Sequence, residues 1–252
     1  TVSEGVLELN KLNAITFSSL LTIGDSSGGV NADVVRYVAN DGLNSSIPIL
    51  VTESGLLDLN GFSDTVGALT LVGGDVTTGA GTLATASDLT ATSTSAGGSA
   101  TISGNFSLTG TRVFNVTNGP NSIDLSVAAN VGGGGITKNG TGTLRLGGNN
   151  SFTGPMTVNA GFLDLISNNA LGNGGQGTTL NGTGSLLLEG VTISNEWLTN
   201  NVANAVVQAL GGVTSTWNSN VVLNADMNAQ VFTTGNFNVV GAISGAGGLT
   251  KS

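Results

Sequence analysis

The residues best suited to chemistry lie in one stretch, residues 24–42, which reads GDSSGGVNADVVRYVANDG and holds the only tyrosine. Arg36 lies here between Asp33 and Asp41, next to Tyr37. Lyases that act on acidic sugars need an Arg or Lys base with acids or calcium nearby, and this stretch approaches that composition. We therefore take Asp33, Arg36, Tyr37 and Asp41 as a candidate ligand or partner loop. The favoured alternative is an ordinary strand over ADVVRYV, with Arg36 paired to a neighbouring acid.

Other candidate chemistry is weaker. Asp58 with Asp164, or Glu8 with Asp164, could form a glycosidase carboxylate pair. All three lie in a recurring L-x-L phrase, so they are interpreted as equivalent outward positions on the surface. The stretch GGGGITK lacks the spacing of a phosphate-binding loop, and no calcium-binding nonapeptide is present. The sequence predicts no catalytic residues, no metal and no cofactor, and hence a protein that is not an enzyme.

The amino-acid composition further restricts the possible partners and fold classes. Among 252 residues there are 41 Gly, no Cys, no His and only 8% charged residues, with a net charge of −9. The six basic residues are scattered, so no basic stripe suggests a nucleic-acid partner. No apolar run approaches the roughly 20 residues that span a bilayer, so this segment is not expected to insert into a membrane. Abundant Gly, Asn and Thr disfavour helices.

Alternating apolar and polar residues, bracketed by Gly or Asn, recur along the chain in runs such as GVLELN, GALTLVGG and GSLLLEG. This period of two predicts short, half-buried strands joined by turns. Residues 200–212 are predicted to form another such coil rather than a helix. Trp197 and Trp217 are predicted to be buried.

The sequence also repeats itself at long spacing. Residues 1–17 align with 157–172, and residues 133–144 align with 245–252, so that Lys138 and Lys251 are expected at equivalent positions. Such self-similarity is typical of stacked units. We predict an all-β fold, a right-handed parallel β-helix (β-solenoid) of roughly 10–14 coils at the strand spacing of about 4.8 Å. Residues 1–252 would form one continuous segment of a longer protein, with internal repeat copies at 1–156 and 157–252.

Asparagine is expected at the corners of the coils in this fold. It tolerates the backbone conformation of a tight corner and can stack on asparagine in the next coil. Asn10, Asn60 and Asn181 each follow an apolar run and are the predicted corner residues.

The stretch 135–172 resembles the passenger-associated transport repeat of autotransporter proteins. Phe152 stands where that repeat usually has Tyr, and Pro155-Met156 replaces the usual Gly-Thr. The residues at matching positions are Thr137, Lys138, Gly140, Gly142, Thr143, Leu144, Leu146, Gly148, Asn150, Thr153, Gly154, Val158, Gly161, Leu163 and Leu165.

The resemblance implies a β-solenoid that is extracellular or displayed on the outer membrane of a bacterium. Its implied function is structural: to extend and present functional regions in adhesion or surface assembly. The alternative function is a carbohydrate-binding or polysaccharide-degrading β-helix. The expected partners are its own neighbouring coils and further repeats, with host or surface glycans and end-to-end self-association as further candidates.

Overall fold

The structure is a computed structural model that describes residues 1–12, 19–194, 196–232 and 234–252. Regular structure in the described residues consists of strands. None of the described residues belongs to a helix with the length and apolar character needed to cross a membrane. The strands are β1 Gly5–Leu9, β2 Leu21–Ile23, β3 Asp33–Tyr37, β4 Ile49–Thr52, β5 Gly55–Asp58, β6 Asp64–Val66, β7 Leu69–Val72, β8 Asp75–Thr85, β9 Leu89–Thr92, β10 Ala100–Leu108, β11 Arg112–Thr117, β12 Leu125–Val127, β13 Asn130–Gly133, β14 Ile136–Asn139, β15 Thr143–Leu146, β16 Met156–Leu165, β17 Thr178–Leu188, β18 Thr192–Ser194, β19 Leu198–Asn200, β20 Ala205–Ala209, β21 Thr214–Asn218, β22 Val221–Leu223, β23 Met227–Val231, β24 Asn236–Val239, β25 Ile243–Ser244 and β26 Leu249–Lys251.

One parallel ladder, called ladder A, runs from β1 to β26. It joins β1, β3, β5, the start of β8, the start of β10, β12, β15, the end of β16, the end of β17, β20, β23 and β26. Paired residues are between 19 and 28 positions apart in the chain, as in Leu56 with Asp75 and Val6 with Val34. Stacked at about 4.8 Å, these twelve segments extend over about 50 Å.

A second parallel ladder, ladder B, forms another face of the same coils. It joins β2, β4, β7, β9, β11, β14, the start of β16, the start of β17, β19, β22 and β25. The long strands β16 and β17 contribute to both ladders because each bends at a corner, near Val158 in β16.

A third face, ladder C, is interrupted. Its first part joins β6, the end of β8, the end of β10 and β13, and its second part joins β18, β21 and β24. Between these parts, residues 147–155 and 166–177 contain no strand. The solenoid is therefore three-sided in most coils, with a gap on one side in the middle.

The core lies along the axis that the three faces enclose. On ladder A, Leu144, Leu163 and Leu186 stack directly on one another and are fully buried. Each such side chain contributes about 1.5–3 kcal/mol through removal of apolar surface from water. The alternation in the sequence thus places one side chain inside and the next outside in every coil.

An asparagine ladder runs along one edge of ladder B, where the phrase T-x-N recurs at 137–139, 157–159, 179–181 and 199–201. Each asparagine from Asn159 to Asn224 donates its amide to the carbonyl oxygen of the previous one, at distances from 2.7 to 3.4 Å. The members of this ladder are Asn139, Asn159, Asn181, Asn201 and Asn224. Identical side chains satisfy each other in this way because the coils stack in register.

The predicted fold class is confirmed, and so is the strand at residues 205–209 within the segment that was predicted not to be helical. Asn181 belongs to the asparagine ladder, and Asn60 has the left-handed φ of 49° that a corner requires. The predicted equivalence of Lys138 and Lys251 is wrong. Lys138 pairs with Val158 on ladder B, whereas Lys251 pairs with Ala229 on ladder A, so the two similar phrases lie on different faces of the solenoid.

Candidate functional site

The residues of the predicted loop at 24–42 are not gathered into one site. Asp33 and Tyr37 are buried at the two ends of β3. Asp33 accepts a hydrogen bond from the Ser54 hydroxyl at 2.6 Å, and the Tyr37 hydroxyl donates to Asp64 at 2.8 Å. Burial, reinforced by the charge of Asp64, raises the pKa of Tyr37 far above its usual value. Both side chains therefore act as internal polar ties between successive coils.

The other two residues of that loop point elsewhere. Arg36 lies on the outer side of β3, and its Nε donates to Asp58 at 2.8 Å across ladder A. Asp41 is exposed at a corner with a φ of 52°. An ion pair this accessible contributes at most about 1 kcal/mol. The arrangement matches the alternative interpretation of this stretch as one more coil, with Arg36 paired to a neighbouring acid.

A second charged cluster lies on ladder A, in the stretch that carries the repeat. Arg145 donates to Asp164 and to Glu189, both at 2.6 Å. Asp164 was predicted to lie on the surface, and this is wrong, because its side chain is fully buried beneath its neighbours. Its Oδ1 has no hydrogen-bond partner among the described residues. Burial, together with the charge of Glu189, raises the pKa of Asp164 to about 6 despite Arg145.

The lysine of the repeat is buried as well. Lys138 points into the core from β14, and its Nζ donates to the carbonyl oxygens of Gly140 at 2.7 Å and Ala160 at 2.8 Å. A longer bond of 3.3 Å reaches the carbonyl of Asn139. Burial lowers the pKa of Lys138 to about 8. This ammonium therefore ties the corner of its own coil to the corner of the next one.

A polar cleft of about 300 Å³ opens where ladder C is interrupted. One wall is the turn after β16, and the other is β18 together with Glu196. The lining residues are Asn168, Asn169, Leu171, Gly172, Asn173, Thr192, Ile193, Ser194 and Glu196.

Glu196 is the buried acid of this cleft. Its Oε1 accepts a hydrogen bond from the Thr178 hydroxyl at 2.8 Å, and burial raises its pKa. The next residue, Trp197, is 41% exposed, so its predicted burial is wrong, whereas Trp217 is fully buried as predicted. The two tryptophans differ because Trp217 lies on the inner side of β21, while Trp197 lies outward over Gly177, which has no side chain to displace it.

Sequence reasoning missed this cleft. The signal that could have found it is the run SNNALGNGGQG at 167–177, which breaks the alternation where a third strand is due. Among the described residues, no group of three or more His, Cys, Asp or Glu side chains could hold a metal ion.

Comparisons with known proteins agree with this architecture. Residues 136–165 match the family described as passenger-associated-transport-repeat. The chain is 34% identical over 163 residues to the adhesin BmaC autotransporter of Brucella suis biovar 1 (strain 1330). That alignment covers 62% of this chain and only 4% of the adhesin. No solved structure matches the chain.

The parallel β-solenoid fold, the repeat in its central coils and the similarity to an autotransporter adhesin together support the autotransporter passenger class. The chain is accordingly similar to an autotransporter passenger-domain segment, and its residues 136–165 carry a passenger-associated transport repeat. The resemblance found in the sequence is thus confirmed.

The buried ionisable groups predict an unusual dependence of stability on pH. Asp64, Asp164 and Glu196 have raised pKa values, so the folded state holds their protons more tightly than the unfolded state. The stability they contribute is complete below a pH of about 4 and is lost as the pH rises through their raised pKa values, which for Asp164 is about 6. Lys138, with its pKa lowered to about 8, has the complementary effect: stability increases between a pH of about 8 and 10.5.

We therefore expect the melting temperature to be higher at about pH 4.5 than at about pH 7, and to recover in part at about pH 9.5. Asp164 alone should change the free energy of unfolding between acidic and neutral pH by an amount on the order of 2–3 kcal/mol. Circular dichroism melts across this range measure it. Asp164→Asn should make the acid limb shallower, since Asp64 and Glu196 remain, and leave the alkaline limb in place. A melting temperature that rises steadily from pH 4.5 to pH 7 would contradict the assignment.

Proposed function

We propose that this segment is a rigid, non-enzymatic spacer in a secreted, surface-displayed bacterial passenger, where it extends and presents functional regions for adhesion or surface assembly. The observation that carries the proposal is ladder A, which continues from β1 to β26 in parallel register. A ladder of this kind resists bending because every coil is hydrogen-bonded to the coils on both sides. Its partners would be its own neighbouring coils and further repeats of the same protein.

The charged side chains support a structural role. Arg36 is paired with Asp58, Arg145 with two acids, and Lys138 with backbone carbonyls. Each of these basic groups joins one coil to another. None of the three is left with an unpaired charge in a cavity, where a catalytic base would be expected.

The adhesive context is supported by the similarity to a protein named as an adhesin, of which this chain spans only a small part. The passenger class supports export, and therefore a location outside the cell or on its surface. A spacer would serve adhesion by its length and rigidity rather than by its own affinity.

The test is to remove a whole coil from the displayed full-length protein. Deletion of residues 145–163 brings Asp164 to the place of Arg145, its register partner, and keeps ladder A continuous. Deletion of residues 145–154 removes about half a coil, including most of the segment that connects ladder A to the start of β16, so that β16 no longer reaches its place on ladder B. We expect the whole-coil variant to retain surface level and adhesion, and the half-coil variant to lose surface level, as measured by antibody labelling and cell attachment.

A spacer predicts that the two readouts change together. If the whole-coil variant reaches the surface at the normal level but no longer adheres, the segment itself makes the adhesive contact, and the spacer proposal is wrong. If both deletions leave surface level unchanged, register continuity has no role in presentation.

A further inference from the structure

The cleft at the gap in ladder C lies beside a strand that lacks a neighbour on one side. β18 pairs with β21 in the following coil, but residues 166–177 of the preceding coil form no strand. The backbone N–H of Thr192 donates instead to the side-chain oxygen of Asn168 at 2.7 Å. A side chain thus replaces the missing strand there, and the space next to it stays open.

The amides that line the cleft are held in defined orientations. Asn168 uses its carbonyl oxygen to accept from Thr192, which leaves its NH₂ group as a donor. Asn169 donates its NH₂ to Asn149 at 2.6 Å, and Asn173 donates to the Ser151 carbonyl at 3.2 Å, which leaves two carbonyl oxygens as acceptors. These side chains are fixed before any ligand binds, so less conformational entropy is lost on binding.

The remaining groups of the cleft are also suited to hydrogen bonding with an uncharged polar ligand. Glu196 supplies a carboxylate, and Thr192 and Ser194 supply hydroxyls. Leu171 and Ile193 form a small apolar patch in the lining, of which only 4% and 1% of the residue surface is exposed. No Lys or Arg is among the described lining residues, so an anionic ligand such as a phosphate or sulfate would find no counter-charge.

We propose that this cleft binds one neutral sugar residue of a glycan. Sugar hydroxyls both donate and accept, and here they would donate to the carbonyl oxygens of Asn169 and Asn173 and accept from the NH₂ of Asn168. The C–H face of the ring would lie against the apolar patch. The volume is at the small end of the range of about 300–1,000 Å³ for small-molecule sites, which suits a single ring. The proposal goes beyond the spacer role and does not depend on it.

The chain offers a matched pair of variants for the test. Thr192→Val removes a cleft hydroxyl and keeps the shape and strand preference of the residue. Thr216→Val makes the same change at the register partner of Thr192 in β21, which does not line the cleft. Melting curves of both variants establish that each is folded, and Glu196→Gln provides a second change inside the cleft.

The probes are D-galactose, D-mannose, D-glucose and N-acetyl-D-glucosamine, each titrated into the ¹⁵N-labelled 252-residue chain and followed by amide chemical shifts. We expect at least one sugar to shift the amides of residues 168–173 and 192–194 in a saturable way. The Thr192 hydroxyl and the Glu196 carboxylate would each make one further hydrogen bond to the sugar. The Kd should therefore rise about fivefold to tenfold in Thr192→Val and in Glu196→Gln, as for loss of one hydrogen bond, and stay unchanged in Thr216→Val.

Several results would overturn the proposal. They are the absence of saturable shifts with any of the four sugars, equal effects of the two threonine variants, and stronger binding of N-acetylneuraminic acid than of the neutral sugars. Shifts of the same amides by calcium alone would assign the oxygen-rich cleft to a cation. Shifts by a Ser/Thr-rich peptide in place of sugars would assign the open side of β18 to strand addition. The coil deletion that tests the spacer keeps the residues that line the cleft but removes Asn149 and Ser151, which orient its amides. Sugar binding is therefore measured in the undeleted chain, so the two proposals fail separately.

Discussion

Lys138→Ala is expected to lower the free energy of unfolding by about 3–5 kcal/mol, a large part of the total for an ordinary domain. The substitution leaves the carbonyl oxygens of Gly140 and Ala160 without their donor, and it opens a cavity where a fully buried side chain had been. Both effects act at the same corner, so they add to each other. Urea unfolding followed by far-UV circular dichroism measures the change.

Two further variants separate the causes. Lys138→Met fills most of the space but donates no hydrogen bond. We expect its free energy of unfolding to be lower by about 1–3 kcal/mol, because the carbonyl oxygens are left unsatisfied. Lys251→Ala changes an exposed lysine on the other ladder and should stay within about 0.5 kcal/mol of the parent. If Lys138→Met were as stable as the parent, burial of the charge would cost as much as its hydrogen bonds contribute.

Gly148→Ala should be the other severe change. A Cβ at Gly148 would lie 1.9 Å from the carbonyl oxygen of Ala129 in the preceding coil, a contact that backbone cannot relieve without moving the coils apart. Since two coils share the strain, we expect the free energy of unfolding to fall by about 2–4 kcal/mol. The same unfolding experiment applies, and the variant should also reach a lower surface level when the full-length protein is displayed.

Gly132→Ala is the matched control for this glycine. Its new Cβ would meet only the Ser151 hydroxyl at 3.3 Å, which a small side-chain rotation relieves, so the change should stay within about 0.5 kcal/mol. Neither glycine has a left-handed φ, so the comparison isolates close approach from backbone conformation. Equal stability of the two variants would mean that the coils can separate at Ala129 without cost.

The alternation of side chains and the recurring repeat determined the fold class from the sequence alone. Strands such as 143–146 and 161–165 place leucines at every second position, and a period of two leaves little choice about which side faces inward. The repeat then excluded a sandwich, because only stacked coils explain self-similarity along the chain. Asn181 followed from the same reasoning, since a residue that recurs at one place in each coil must meet its own copies.

Only the tertiary structure decided which residues meet across the coils. Coil length varies from 19 to 28 residues, so a single sequence does not state the partner of a given residue. For this reason the sequence did not show that Tyr37, a candidate ligand residue, ties two coils, and Asp164 was expected at the surface but lies beneath Arg145. The cleft beside β18 depends on a strand that one coil does not form, and an interruption of this kind becomes visible only when neighbouring coils are placed side by side.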